Sequence, residues 1–470
     1  MGVLGLDIGT QSAKAVIIAD GLTVRGRGSM AYQPTFPRPG WAEQDPGLWL
    51  NALGPVISSS LAESGLAPSE VTAIGVTGQL DGCLPADAAG RALGPCLIWM
   101  DRRAEAELAG LDIADLQRRT GLVADASHMG PKARWLSRHQ GLRPQLWHQP
   151  VSFIVQALCG RSVMDHALAS TTMLYDLESR EYDPVLLDAF DLDQRSLPEI
   201  APAESIAGQL TARGSQLTGL PVGIPVAVGT GDDFANAIGA GVVSPGVVSC
   251  CLGTAEVVGA ISPALIRDEG GLLQTHGFLA GSYLIGNPGW SAGAALSWFC
   301  RTFSVESPEA LSGLADQAAP GSGGLLFLPA LTGAMAPRWV ATARGAFYGI
   351  TPLHGRAELA RAVLEGCAFA MRDVVDRLAD LGVGADRIRL CGGGARSRVW
   401  AQIRADLCQR EVEIARHIDA APFGAALLAS VAAGLSRSAE ELSRQLSDGL
   451  ETIAPNPAQR DIYESRYRQY

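Results

Sequence analysis

Short apolar runs alternate along this chain with longer amphipathic segments, and most of the short runs end at a glycine. Residues 3–18 predict a strand, a tight turn and a second strand, which ends at the hairpin signal Asp20-Gly21. A third strand is predicted from Val24 to Met30. Such alternation predicts mostly parallel or mixed sheets with helices on both faces, which is the α/β class.

The alternation continues beyond this first hairpin. Helices are predicted over residues 47–64, 356–381 and 399–408, and short strands over residues 71–77, 96–100, 226–228, 247–252, 325–331 and 387–391. Residues 104–225 predict helices and connecting loops inserted into the first half. The last segment, after Gly434, predicts a polar helix and a loop.

A stretch near the middle of the chain concentrates candidate chemistry. The predicted strand over residues 226–228 stops at Gly229-Thr230-Gly231, and two acids, Asp232 and Asp233, follow before a helix that we expect to start near Ala235. Open α/β sheets bind their ligands at the carboxyl edge, where such a strand ends. The alternative is a turn with two solvated acids that cap the helix, and this stretch alone leaves both open.

A strand, a Gly-Thr turn and a second strand occur twice in the sequence. The first turn is Gly9-Thr10 and the second is Gly253-Thr254, so they lie 244 residues apart in a chain of 470. The spacing predicts two similarly built halves, residues 1–241 and 242–470, each of which points a Gly-Thr tip into a common cleft. A chain of this length also favours two or more domains.

Composition excludes several classes of protein. The formal net charge of −11 argues against a partner bound through nucleic-acid phosphates. The nine cysteines form no C-x-x-C pair and the seven histidines no metal-binding spacing, which is typical of a reduced cytoplasmic protein without a structural metal. Asp7 interrupts any signal-peptide core, and no apolar run approaches the roughly 18 residues that span a bilayer, so we expect no membrane association.

Glycine-rich turns indicate phosphate binding without a lysine loop. Neither lysine, Lys14 or Lys132, follows a glycine, which excludes a Walker A loop. The backbone N–H groups of the two Gly-Thr turns, and of Gly392-Gly393-Gly394 at a helix start, can bind an anion instead. Each of these turns, taken singly, is also explained as an ordinary turn.

Four aspartates lie at or just after the ends of predicted strands: Asp7, Asp81, Asp232 and Asp233. Phosphoryl transfer needs acids that hold a metal ion, and one acid that takes the proton of the attacked hydroxyl. Helix capping is the alternative for each of them, although four acids in equivalent topological places favour a site.

Together these segments resemble the FGGY carbohydrate kinases and, within that family, the xylulokinase-like branch. The matching segments, in family order, are Asp7-Ile-Gly-Thr-Gln-Ser-Ala-Lys14, Gly40-Trp-Ala-Glu-Gln-Asp-Pro46, Gly78-Gln79, Trp99-Met-Asp101-Arg102, Gly231-Asp232, Leu252-Gly-Thr254, Ala292-Gly293, Arg344-Gly-Ala-Phe347 and Gly392-Gly-Gly-Ala-Arg-Ser397. The resemblance implies two actin-like (ribonuclease H-like) α/β/α domains flanking a catalytic cleft, with ATP and Mg²⁺ as cofactors.

The resemblance also implies roles for the matched residues. Asp232 would be the general base, and Asp7 would hold Mg²⁺, largely through water. The sugar would contact Gln79, Leu80, Asp81, Asp101, Asp232 and Asp233. ATP would contact Thr10, Gln11, Ser12, Lys14, Thr254, Gly293, Ser297, Gly393, Gly394 and Ser397.

The reaction expected from the resemblance is phosphorylation by ATP of a hydroxyl of D-xylulose or a related ketopentose. Departures from the family pattern lie at Leu80-Asp81, at Asp233, at residues 332–337 and at Pro422-Phe423. A carboxylate accepts hydrogen bonds where histidine or asparagine can donate, so a polyol or another ketose (of the ribulose, fuculose, erythritol or glycerol class) is an alternative substrate. A non-catalytic sugar sensor of the same fold is a further alternative, and a homodimer is left open.

Overall fold

The computed structural model describes residues 1–19, 22–340 and 342–470, so the turn predicted at Asp20-Gly21 lies outside the described residues. The chain divides into two compact units. The first comprises Met1–Gly239, Thr275–Tyr283 and Ala420–Ser443, and the second comprises Ala240–Gln274, Leu284–Asp419 and Arg444–Tyr470. Two late segments thus belong to the first unit, whereas the predicted domains 1–241 and 242–470 are continuous in sequence; that division stays a prediction.

The first unit is built on one mixed sheet. Its strands run in the order Ile206–Gln209, Pro225–Ala227, Val71–Gly78, Gly2–Ile8, Ser12–Ala19 and Thr23–Ala31. Thr230–Gly231 extends the sheet by pairing with the carboxyl end of Val71–Gly78. Every residue of the central strand Gly2–Ile8 is buried, which explains why this strand lacks the polar alternation of a half-exposed one.

Helices cover this sheet and fill the inserted region. They are Pro46–Ser64, Ile113–Thr120, Met129–His139, Pro150–Cys159, His166–Ser170, Pro184–Ala189, Ala212–Thr218, Asp232–Gly239 and Ala420–Ala432. Short two-stranded sheets pair Glu43–Gln44 with Cys96–Leu97, Leu84–Ala86 with Leu146–His148, Val163–Met164 with Glu199–Ile200, and Tyr175–Asp176 with Glu181–Tyr182. The helix Pro46–Ser64 begins where the Asp45 carboxylate accepts a hydrogen bond from Gly47 N–H, and it ends at Gly65.

The second unit also has a mixed sheet covered by helices. Its strands run in the order Tyr283–Ser291, Ala255–Ser262, Val247–Leu252, Arg387–Cys391, Glu411–Ile414 and Glu451–Ile453, and Leu326–Leu328 pairs separately with Ala346–Tyr348. Its helices are Gly293–Thr302, Pro308–Asp316, Arg356–Asp380, Arg398–Cys408 and Arg460–Gln469. Three of the elements described span a boundary between the units: Gln274–Gly277, Tyr283–Ser291 and Ala439–Ser447. Within the described ranges, no helix is long and apolar enough to cross a membrane.

A helix from the end of the sequence packs directly on the first sheet. A side chain on Gly5 would begin only 1.8 Å from the carbonyl oxygen of Pro422. The helix Ala420–Ala432 therefore touches the backbone of a central strand, an approach that only glycine permits. Pro422 and Phe423, which depart from the family pattern, are both buried in this helix.

Most predicted elements are confirmed, including both hairpins, the helix over residues 356–381 and the strand Arg387–Cys391. The strand predicted over residues 96–100 was too long: it ends at Leu97, because the chain turns where the Ile98 carbonyl accepts a hydrogen bond from Asp101 N–H. The strand predicted over residues 325–331 is likewise reduced to Leu326–Leu328. The central helix begins at Asp232, earlier than the predicted Ala235.

Candidate active site

Asp232 lies where a strand edge meets a helix in the first unit. After Gly229 the chain runs beside the strand Val71–Gly78, with two residues paired to its carboxyl end. Gly229 has a φ of +73°, and a side chain there would begin 2.0 Å from the carbonyl oxygen of Val76, so only glycine fits. The helix starts immediately with Asp232, which is thereby held at the carboxyl edge of the sheet.

Asp165 anchors the chain just before this acid. Its Oδ2 accepts a 2.8 Å hydrogen bond from the Thr230 hydroxyl, and both residues are buried. The same carboxylate caps a short helix by accepting from the N–H groups of Ala167 and Leu168. Burial raises the pKa of Asp165 to about 7. Asp165 therefore fixes the position of the segment that carries Asp232.

Acidic side chains converge at this edge. Burial raises the pKa of Asp232 well above its ordinary value, and the charges of Asp233 and Asp7 raise it further. Burial and then the charge of Asp81 raise the pKa of Asp233 to about 7. The Asp233 N–H also donates to Asp232 Oδ1 at 3.0 Å. The structure thus brings together all four aspartates selected from the sequence, and shifted pKa values at a sheet edge are typical of functional sites.

Asp7 lies two residues before Gly9, at the tip of the first hairpin. It is 8% exposed and lies directly opposite Lys14 in the antiparallel register, so the two side chains share a face of the sheet. The Tyr32 hydroxyl donates to the Gly9 carbonyl oxygen at 2.7 Å. Burial raises the pKa of Tyr32, and the charges of Asp7 and Asp232 raise it further.

Gln44 organises the hairpin tip through side-chain hydrogen bonds. Its Nε2 donates to the Thr10 carbonyl at 2.7 Å, and its Oε1 accepts from Gln79 Nε2 at 2.6 Å and from Trp49 Nε1 at 3.3 Å. Trp99 Nε1 donates to the Thr10 hydroxyl at 3.0 Å. The predicted residues Thr10 and Gln79 therefore belong to one network, in which Gln44 is fully buried.

Two other predicted residues of this tip, Gln11 and Ser12, accept hydrogen bonds through their backbone carbonyls. The N–H of Gly9 donates to the carbonyl of Ser12, and the N–H of Tyr32 donates to the carbonyl of Gln11, each at 3.0 Å. The expectation that the Gly9 N–H faces an anion is therefore wrong, because this group closes the turn. The side chain of Gln11 is exposed.

Asp81 is fixed on three sides. Its N–H donates to Gln149 Oε1 at 2.9 Å, its carbonyl accepts from Lys132 Nζ at 2.7 Å, and its Oδ1 lies 3.1 Å from His128 Nδ1. Its φ of +58° is unusual for a residue other than glycine. The preceding residue, Leu80, is half-buried.

Asp101 differs from the other predicted substrate residues. Arg103 contacts both of its carboxylate oxygens, through Nε at 2.9 Å and Nη2 at 2.7 Å. Its Oδ2 also accepts from the Ala42 N–H at 2.7 Å, and the side chain is fully buried. These contacts assign Asp101 to holding the loops together and leave no exposed carboxylate for a sugar.

The second hairpin tip, in the second unit, is held by the start of a helix. The N–H of Gly293 donates to the Gly253 carbonyl at 3.0 Å, and the N–H of Ala294 donates to the Thr254 carbonyl at 3.0 Å. Thr254 is exposed, as is Ser297, one helical turn beyond Gly293. Three residues predicted to contact ATP thus lie close together.

The glycine loop at residues 392–394 lies beside the same hairpin. A side chain on Gly394 would begin 2.8 Å from the Cβ of Leu252, whereas none of the described atoms lies within 4 Å of that position on Gly393. Ser397 caps the next helix by accepting from the Trp400 N–H at 3.2 Å. Gly393 therefore offers open space to a ligand, while the Ser397 hydroxyl is used within the protein.

Several residues of this site were not selected from the sequence: Tyr32, Gln44, His128, Gln149 and Asp165. Gln44 appeared only within the matching segment of residues 40–46, without a role, and Lys132 only as one of two lysines. All of them contact residues far away along the chain, so no local spacing pointed to their partners.

Mg²⁺ fits the acids of the first unit. Among the described residues, no three or more His, Cys, Asp or Glu side chains are grouped as a metal site. Mg²⁺ needs fewer protein ligands, because it takes one or two carboxylates and completes its shell with water and phosphate oxygens. Asp7, whose charge raises the pKa of the nearby Asp232, supplies one such carboxylate.

Two family models together match most of the chain. The family model for the N-terminal domain of the FGGY family of carbohydrate kinases matches residues 2–239, and the model for the C-terminal domain matches residues 248–433. The chain is 31% identical to a xylulose kinase of Escherichia coli (strain K12), over 94% of this chain and 92% of that protein. It is 32% identical to a glycerol kinase of Gloeobacter violaceus, over 99% of this chain and 93% of the relative.

A solved structure shares the fold. The crystal structure described as a xyloylose kinase from Brucella ovis superposes with a TM-score of 0.91 and 29% identity, covering 100% of this chain and 98% of that one. The resemblance drawn from the sequence and the two-domain actin-like α/β fold are both confirmed. The chain belongs to the FGGY family of carbohydrate kinases.

Proposed function

We propose that this protein transfers the γ-phosphoryl group of ATP to a hydroxyl of a small sugar, D-xylulose or a related ketopentose. The observation that carries the proposal is the convergence of Asp7, Asp232 and Asp233 at one sheet edge, where burial and mutual repulsion raise the pKa of Asp232. A carboxylate with a raised pKa is a stronger base, as deprotonation of an attacking hydroxyl requires.

The proposed chemistry gives each group of residues one task. Asp232 accepts the proton of the sugar hydroxyl as its oxygen attacks the γ-phosphorus. Its backbone is positioned as the first residue of a helix behind the Thr230–Asp165 hydrogen bond, and its Oδ1 accepts from the Asp233 N–H. Lys14, on the same face of the sheet as Asp7, would contact phosphate oxygens. Mg²⁺ held at Asp7 would neutralise charge on the β- and γ-phosphates.

The second unit is proposed to hold the nucleotide. The exposed Thr254 and Ser297 and the open position at Gly393 lie around one hairpin tip. The helix N–H groups beside the tip already donate to its carbonyls, so this geometry supports side-chain contacts and van der Waals contact with the nucleotide more than an anion site made of backbone N–H groups.

A polyol or another ketose is the second candidate substrate. The relatives include proteins named xylulose kinase and glycerol kinase at similar identity. The charge of Asp81 raises the pKa of Asp233, so the two carboxylates lie within electrostatic reach of each other. Two acceptor groups favour a substrate that donates several hydroxyl hydrogen bonds, which is a property of polyols as well as ketoses.

The direct test compares Asp232→Ala with the native protein in an ADP-release assay on a panel of ketopentoses and polyols. We expect kcat to fall by about 10³-fold or more, because the general base is lost. Calorimetric binding of a non-hydrolysable ATP analogue should change by less than about threefold, since the proposed nucleotide residues are untouched. Asp316→Ala, at an exposed helix end, is the matched control and should keep its turnover.

The outcomes separate the candidates. An Asp232→Ala variant with near-native turnover would refute the assignment of the base. A native protein that binds a sugar from the panel without releasing ADP would favour the non-catalytic sensor. The acceptor with the highest kcat/KM decides between a ketopentose and a polyol.

A further inference from the structure

We propose that His128 is a positioning residue that determines substrate specificity. It fixes the Asp81 carboxylate so that this group accepts a hydrogen bond from one substrate hydroxyl, and the enzyme therefore selects substrates that carry that hydroxyl. This inference rests on the proposed function, because it takes the first unit to bind the sugar. It concerns a histidine and a contact to which no spacing in the sequence pointed.

The backbone of Asp81 has little freedom. Its N–H and its carbonyl are held by Gln149 and by Lys132, and Lys132 Nζ also donates to the carbonyls of Ile98, at 2.7 Å, and Ser127. Lys132 is fully buried, and burial lowers its pKa. A buried ammonium group that binds three carbonyls joins three loops, so the Cα of Asp81 is fixed and only its side-chain torsions remain to be set.

Those torsions are set by His128. The imidazole Nδ1 lies 3.1 Å from Asp81 Oδ1, and Nε2 lies 3.3 Å from the carbonyl oxygen of Val123. A carbonyl oxygen only accepts hydrogen bonds, and so does a carboxylate. Both contacts are satisfied together only by the imidazolium form, in which both ring nitrogens donate.

The charges around the ring agree with this protonation state. Burial acts to lower the pKa of His128, but the charge and hydrogen bond of Asp81, together with the charge of Asp125, outweigh burial and the opposing charge of Lys132, so the pKa is raised. The side chain of His128 is 3% exposed and that of Asp81 is 15% exposed. The histidine is therefore enclosed, while part of the carboxylate is accessible.

A second histidine near Asp81, His276, is neutral. His276 packs edge-on against Phe234, with ring centroids 5.5 Å apart, and burial lowers its pKa to about 4 although Asp81 acts to raise it. Neither the neutral His276 nor the neighbouring Asp233 neutralises the charge of the Asp81 carboxylate, which therefore remains a fixed hydrogen-bond acceptor. A substrate hydroxyl can donate to it, whereas a carbonyl oxygen at the same place would be repelled.

The ADP-release assay tests this inference with the sugar that gives the highest kcat/KM. It compares that sugar with its monodeoxy analogues, each of which lacks one hydroxyl. Removing the hydroxyl that contacts Asp81 should lower kcat/KM of the native protein by about 10- to 100-fold, since a buried charged acceptor loses its donor. In His128→Phe and in Asp81→Ala this penalty should fall below about threefold, while the penalties at the other hydroxyls persist. His128→Asn, whose amide can still donate to Asp81, should keep an intermediate penalty.

The matched control is His139→Gln, on the same helix as Lys132 but with a half-exposed ring, which should leave every deoxy penalty unchanged. A full penalty retained in His128→Phe would overturn the inference. If His128→Phe does not fold, His128→Asn and Asp81→Ala decide in the same way. If the native protein phosphorylated none of the sugars, the proposed function would be refuted instead. Failure of the inference about His128 is therefore distinguishable from failure of the proposed function.

Discussion

The two Gly-Thr hairpins share a local structure and differ in what holds their tips. In both, the first strand has an antiparallel partner across the turn and a parallel neighbour on its other side. Around Thr10 the contacts come from side chains, namely the amide of Gln44 and the indole of Trp99. Around Thr254 they come from backbone N–H groups at the start of a helix.

The matched positions within the strands also differ. Two residues before the glycine, the first hairpin has Asp7 and the second has Cys251. Behind the second tip lies a buried ion pair, in which Arg404 contacts Glu256 at 2.5 and 3.0 Å. Equivalent backbone positions thus carry an acid in one unit and a thiol in the other. The hairpin backbone fixes where the side chain lies, and the residue type determines its chemistry.

The largest effect, on kcat, should come from substituting Asp7, the acid that corresponds to Cys251 of the second hairpin. Asp7→Asn should lower kcat by about 10³-fold, roughly 4 kcal/mol, because it removes a negative charge from the proposed Mg²⁺ site. Cys251→Ser, at the same place in the second hairpin, should leave kcat within about threefold. The ADP-release assay measures both, and similar losses in the two variants would contradict the division of roles.

The next effect concerns stability in the second unit. Glu256→Ala leaves the fully buried guanidinium of Arg404 without its carboxylate and should lower the free energy of unfolding by about 3–5 kcal/mol, measured by urea denaturation. Replacing both residues, as Glu256→Leu with Arg404→Met, should recover most of that loss. A single substitution that costs less than about 1 kcal/mol would show that the pair does not support this hairpin.

The smallest effect is a pH-dependent increase in the free energy of unfolding when Asp233 is substituted. Its pKa is about 7 in the folded protein and 3.8 ordinarily, so between these values the folded state retains a proton that the unfolded state has lost. The free energy of unfolding therefore falls as pH rises through this window. Asp233→Asn removes this loss and should stabilise the protein by about 2–3 kcal/mol more at pH 8 than at pH 5. Equal gains at both pH values would contradict the shifted pKa.

The elements that the sequence predicted well are those set by near neighbours. Both hairpins, the strand Arg387–Cys391 and the long helix over residues 356–381 follow from apolar periodicity and from glycine at the turns. Strand ends were less predictable, since Trp99 and Met100 continue an apolar run yet lie in a turn fixed by the Asp101 N–H. Burial decides where an element lies, and backbone hydrogen bonds decide where it stops.

The roles of individual site residues were only partly readable. The acid cluster was predicted, because four aspartates at strand ends meet at one sheet edge whatever the details of packing. Asp101 also follows a predicted strand, yet both of its oxygens are taken by Arg103. Arg103 lies only two residues beyond Asp101, but its presence in the sequence does not show that the two side chains pair. The pairing becomes visible only in the fold, which buries both side chains and brings the Ala42 N–H to the same carboxylate.

Periodicity and short motifs are local properties, so the family, the α/β class, the two hairpins and the candidate acids could be predicted without the fold. Three contacts could not: the helix Ala420–Ala432 packs on the first sheet, Gln44 joins Thr10 to Gln79, and His128 contacts Asp81. These contacts join residues distant in sequence. They form because side chains buried by packing must find hydrogen-bond partners wherever the fold supplies them.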